Sequence, residues 1–194
     1  MSKSDPSAAK KERNKTIRWV VTIFFVTIFV SGMISFASNE MMAESTMGVA
    51  FVILLAIVLI GIVFDIIGVA VTSADEKPFH SMAARKVPGA QEAIRLLRNA
   101  ERVSSICNDV VGDICGVVSG SASAAIAVQV LEAFTFTFPR LITLIMSALV
   151  AGLTVGGKAV GKTFAINSCT KIVHAVGKIL WGFRNFPTLW KKKK

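Results

Sequence analysis

Four polar side chains stand inside, or at the edge of, apolar stretches of this chain: Asp65, Asn108, Asp109 and Asp113. Carboxylate and amide oxygens are hard ligands and suit hard cations such as Mg²⁺. An ionisable group within a bilayer is costly, so an intramembrane carboxylate is a functional candidate by default. Asp109 and Asp113 are spaced to share one face of a helix, with Asn108 beside them. Asp65 and Asp113 are both expected about 10 Å below the same membrane face, at a rise of about 1.5 Å per residue. Lys158 and Lys162 close a later apolar stretch on that same side and could pair with these carboxylates. The cluster then reads in two ways, as a cation site or as a static ion-pair network holding helices in register.

No other constellation carries chemistry. The sequence has no GxSxG, no HExxH, no glycine-rich loop ending in Lys-Ser/Thr and no CxxC pair, so no enzyme is expected. His80 and His174 are far apart in amphipathic segments and read as surface residues. Cys107, Cys115 and Cys169 have neither zinc-like spacing nor the even count of a disulfide scaffold, and read as packing residues.

The elements that must position the cluster are membrane spans. The 194 residues are 53% hydrophobic, with mean hydropathy +0.63, yet carry a net charge of +10. Basic charge on so apolar a chain points to an anionic membrane face and away from nucleic acid. The first apolar stretch is too long for a signal-peptide core and no convincing cleavage site follows it. The sequence predicts an all-α polytopic membrane protein with about four transmembrane helices and juxtamembrane amphipathic helices. Residues 1–15 read as a disordered basic tail and 16–37 as the first span, with Trp19 at its head. A polar loop over 38–47 leads to the second span, 48–72. Residues 73–105 form a cytoplasmic amphipathic segment that opens on a capping-box spacing from Ser73 to Glu76. Its later part has Ala93, Leu96, Leu97, Ala100 and Val103 on one face and Arg95, Arg98 and Arg102 opposite, arginines toward lipid phosphates. Spans three and four are 107–131 and 139–157, separated by a turn from Glu132 to Phe138. Residues 158–194 form a basic amphipathic tail anchored by Trp181 and Trp190.

Two further patterns test this arrangement. Of the 22 Lys and Arg residues only Arg140 falls on the proposed outer side, which requires both ends to be inside, in a cytoplasm bounded by the plasma membrane. Gly112, Gly116 and Gly120 recur every four residues in span three, as do Gly152 and Gly156, then Gly157 and Gly161, in span four. In lipid such stripes allow backbones to approach closely, within the chain or across a dimer.

The stretch from Phe64 to about Leu180 resembles the transmembrane domain of the CorB/CorC and cyclin-M family of magnesium and cobalt transport proteins. Phe64-Asp65-Ile66-Ile67-Gly68-Val69-Ala70-Val71-Thr72-Ser73 stands where the family has a Phe-Ser-x-Ser-Glu-x-Ala-Leu-x-Ser pattern. Ala90 to Leu97 matches its cytoplasmic Ala-x-x-Ala-Leu-x-Leu-Leu helix. Asn108-Asp109-Val110-Val111-Gly112 matches an Asn-Asn-Leu-Val-Asn helix start, and Gly157 to Lys162 the closing Gly-Glu-x-x-Pro-Lys. The resemblance implies a homodimer that conducts Mg²⁺ or Co²⁺ along polar side chains and backbone carbonyls at the first two motifs. It also implies an outward-facing N-terminus, which the additional span here would reverse. This chain is expected to lack the family's regulatory cytoplasmic domains. Gly68 replaces the family's glutamate, Ile67 a serine, Lys158 the later glutamate and Gly161 the proline; a lysine there opposes a divalent cation by like charge.

Overall fold

The computed structural model describes residues 6–43, 45–134 and 138–191, and all regular structure within them is helical. In chain order the helices are α1 (Pro6–Ala43), α2 (Met47–Ser73), α3 (Lys77–Ala84), α4 (Ala90–Arg98) and α5 (Ala100–Ser105). A π-helical segment over Ile106–Gly112 joins α5 to α6 (Asp113–Ala133), and α7 (Pro139–Asn167) and α8 (Cys169–Lys191) complete the chain. Four helical stretches are long and apolar enough to cross a membrane: Thr16–Met42, Met47–Ser73, Ala100–Ala133 and Pro139–Asn167.

The spans are longer than the hydropathy runs that reveal them, because backbone hydrogen bonding carries each helix past its apolar core. α1 starts at Pro6, so residues 6–15 are helical rather than a disordered tail; residues 1–5 lie outside the described residues. At its other end α1 covers most of the polar stretch read as a loop, and Ser38 and Met42 there are buried. Glu44 and residues 135–137, the middle of the turn between spans three and four, are outside the described residues, as are the Trp190 side chain and Lys192–Lys194. α7 opens on Pro139 in its first turn, where the missing N–H costs nothing, and runs to Asn167.

Helix direction follows from which ends meet. The Arg102 guanidinium lies 5.6 Å from the centre of the Trp19 ring, joining the head of the apolar part of α1 to α5. Gln129 Nε2 donates to the Met42 carbonyl at 3.2 Å, joining the far ends of α1 and α6. Near that far end Met42, Ala50, Leu54, Ala122, Ile126 and Val150 form a core shared by all four spans. At the other end Ala70, Val71, Phe79, Ala93, Ala165 and Val173 form a second core between α2, α3, α4, α7 and α8.

This second core gives residues 73–105 a partner within the chain. Ala93 is buried in it, and Leu96, Leu97, Ala100 and Val103 pack against it partly buried. The amphipathic stretch is also broken at Asn99, so α4 and α5 are separate helices. Their arginines have protein partners while remaining exposed: Arg98 Nε meets Glu76 Oε1 at 3.0 Å and Arg95 Nη1 meets Glu92 Oε1 at 3.8 Å. The capping box does not form, since α2 continues through Ser73; instead Asp75 Oδ1 accepts the Lys77 N–H at 3.1 Å. α3 ends with Lys86 at φ 56°, where its N–H reaches the Ala83 carbonyl and that of Val87 the Met82 carbonyl. Those two bonds close a helix C-terminus around a left-handed residue.

Candidate functional site

α2 is the helix around which the site is built. Its buried face is Ala50, Leu54, Val58, Gly61, Asp65, Gly68 and Val71, the three- and four-residue spacing of one helical stripe. Three contacts fix its antiparallel register against the third span. Gly61 faces Cys115, where an added Cβ would stand 2.8 Å from the Cys115 Cβ. Asp65 faces Gly112, and Gly68 faces Asn108 so closely that a Cβ there would run into the Asn108 amide. α7 runs parallel to α2 on the other flank: Cβ atoms at Gly157 and Gly161 would collide with Ile62 and Ile66. Lys158, between those two glycines, is thereby carried toward the α2–third span seam.

Its ammonium ends there. Lys158 Nζ donates to the Gly112 carbonyl oxygen at 3.2 Å and lies 3.8 Å from Asp113 Oδ1. Gly112 stands between Lys158 and Asp65: a Cβ on it would be 3.5 Å from Lys158 Nζ and 3.8 Å from Asp65 Oδ1. Gly112 also ends the π-helical segment, whose wider turn is uncommon and recurs at functional sites.

The sequence-derived residues separate here. Asp65, at 5% exposure, is the buried member, and its Oδ2 has no hydrogen-bond partner. Asn108 donates from Nδ2 to Ser104 Oγ at 3.1 Å, while its buried Oδ1 has no partner. Asp113 is turned outward with its side chain 71% exposed, so it does not face Asp65 across the seam. Asp109 is exposed and accepts a hydrogen bond from Ser105 Oγ at 2.9 Å, apart from the others. Lys162 is exposed, one turn beyond Lys158. Among the described residues no three His, Cys, Asp or Glu side chains converge.

The glycines also sort differently from their spacing. Gly112 is packed, but Gly116, Gly120, Gly152 and Gly156 have open space where a Cβ would go, so within the chain they mediate no helix contact. Gly61, Gly68, Gly157 and Gly161, by contrast, meet side chains of a neighbouring helix closely. Gly61 belongs to no four-residue repeat, and the signal that could have found it is its place on the Ala50–Val71 stripe.

Searches against protein-family models, curated proteins and solved structures found no match to this chain.

Proposed function

We propose that this chain is a non-catalytic, non-transporting membrane scaffold, built on a transporter-like plan in which a lysine ammonium takes the place of a divalent cation. The observation that carries this reading is Lys158 Nζ at 3.2 Å from the Gly112 carbonyl and 3.8 Å from Asp113, with Asp65 across Gly112. A fixed positive charge at the carboxylates repels Mg²⁺ or Co²⁺ and fills the position such an ion would need. Charge distribution supports an inner, cytoplasmic location for both termini in a plasma membrane with an anionic inner leaflet. The open faces at Gly116, Gly120, Gly152 and Gly156 suit assembly with a second copy, since small residues let helices from two chains meet.

Divalent-cation transport of the CorB/CorC kind is the second reading, favoured by the unpartnered buried Asp65 oxygen and the π-helical turn beside it. Thermal unfolding in detergent against Mg²⁺ and Co²⁺, with a chelator as reference, separates the two. A ligand that binds only the folded state raises its stability by mass action. The scaffold reading expects no saturable response in the wild type. It further expects Lys158→Ala to lose about 1.5–3 kcal/mol, the worth of a charged hydrogen bond. Saturable stabilisation of the wild type by either metal would overturn it.

A further inference from the structure

A cleft lies at the basic end of the molecule, away from the Lys158 cluster, and two backbone turns give it its shape. Lys86 at φ 56° closes α3 and Gly89 at φ 84° opens α4, so the chain doubles back between them. α8 crosses this turn where Gly177 meets the Gly89 carbonyl oxygen, and Trp181 follows one helical turn later on the same face. The space left between α3, α4 and α8 is a cavity of about 190 Å³, walled by Lys86, Gln91, Glu92, Trp181 and the Val87–Gly89 turn.

The walls offer donors that nothing in the chain meets. Lys86 Nζ, the Gln91 amide and the Trp181 indole N–H have no side-chain partner among the described residues. Trp181 is half-buried, and an indole N–H in that setting ordinarily finds an acceptor. The carboxylate in the wall is already engaged: Glu92 Oε1 meets Arg184 Nη1 at 3.3 Å and Arg95 Nη1 at 3.8 Å. Three cations, Lys86, Arg95 and Arg184, thus stand against one carboxylate. The surplus positive charge favours an anion and opposes any group that carries an ammonium.

The neighbouring flank of α8 indicates what carries that anion. Leu180 is 41% exposed, Ile179 58% and Phe183 77%, an apolar strip on either side of Trp181 in the sequence. An anion site beside an open apolar strip matches an amphiphile, headgroup in the one and chains against the other. We propose that the cleft binds the phosphate of an anionic glycerophospholipid, with Lys86, Gln91 and Trp181 donating to the headgroup and Leu180 and Phe183 lying against its chains. The site rests on the preceding placement of the basic end at an anionic leaflet, and is independent of the part that Lys158 plays.

The test is thermal unfolding of the purified full chain in neutral detergent with chelator present. The ligands are dihexanoyl phosphatidic acid, dihexanoyl phosphatidylcholine and glycerol phosphate. The expected result is a saturable rise of several degrees with phosphatidic acid, none with phosphatidylcholine and a much weaker one with glycerol phosphate, which has no chains. Lys86→Gln should weaken the apparent affinity for phosphatidic acid by about tenfold, as should Trp181→Phe, which keeps a ring and removes the N–H. Lys171→Gln, an equal loss of charge at an exposed position of α8 outside the cleft, should not. An equal response to phosphatidylcholine overturns the selection by charge. Equal potency of glycerol phosphate makes this a site for soluble phosphates and overturns the lipid. Equal weakening by Lys86→Gln and Lys171→Gln reduces the binding to diffuse charge and overturns the cleft. Absence of any response in the wild type overturns the site without either variant having to fold. Because the readout is in detergent and free of divalent ions, each of these failures leaves the scaffold reading and the orientation of the chain untouched.

Discussion

At the level of single residues, the glycines show how little a residue type says until its neighbour is known. Gly68 has the Asn108 amide where its Cβ would be, while Gly116 has nothing within 4 Å. Gly68→Ala should therefore cost about 1–3 kcal/mol by overpacking a filled site. Gly116→Ala should leave stability unchanged, or raise it by up to about 1 kcal/mol through lower backbone entropy in the unfolded chain. Equilibrium unfolding of both variants in detergent checks this, and equal effects would mean that the α2 register described here is wrong. The sequence pointed to the regular repeats because regularity is what spacing can reveal. Contact depends on which face of each helix is turned inward, and that is settled by two helices jointly. The same limit applied to the carboxylates. Asp65, Asn108 and Lys158 do come to one seam, but Asp109 bonds Ser105 and Asp113 stands largely exposed beside Lys158.

At the level of elements, the apolar runs marked the four helices long and apolar enough to cross a membrane, since length and hydropathy suffice for that. Their ends were misplaced where polar residues continue a helix, as at Ser38 to Ala43 and at Lys158 to Asn167. The docking of α4 on α8 was not legible at all, because it rests on backbones meeting rather than on a pattern. A Cβ on Gly177 would stand 2.5 Å from the Gly89 carbonyl oxygen and 3.0 Å from the Ala93 nitrogen. Gly89 itself holds φ 84°, a conformation glycine takes without strain. Around this contact Glu92 Oε1 meets Arg184 Nη1 at 3.3 Å, and His174 Nε2 lies 3.2 Å from the Pro88 carbonyl. Gly177→Val should force the two helices apart and expose the Phe79–Ala93–Val173 core, whereas Ala175→Val, at an exposed position of the same helix, should not. Limited proteolysis reads the difference as faster cleavage between residues 77 and 105 in the first variant alone.

For the molecule as a whole, the contacts of Arg102 with Trp19 and of α4 with α8 gather most of the basic segments at one end. Arg140, at the start of α7, stands at the other. Side of the membrane then becomes a single question with a single answer for every loop. In a chain with its three cysteines replaced, Thr46→Cys should react with an impermeant thiol reagent on intact cells and Ala175→Cys only after permeabilisation. Thr46 is the better probe than Ser38, which is buried. Reversed labelling would turn the molecule over and place its basic end outside. One feature of the third span ties its basic end to its apolar length more strictly than any of these contacts. Between Ile106 and Gly112 the backbone turns in π-helical fashion, taking an additional residue per hydrogen-bonded turn. Each α-helical residue advances the rotation by about 100°. The segment therefore acts as a phase shift: it sets the angle at which Arg102 meets Trp19 independently of the angle at which Gly112 meets Asp65. Deleting one residue within it would rewind the turn to α-helix and leave these two contacts out of step, with every side chain between them still present.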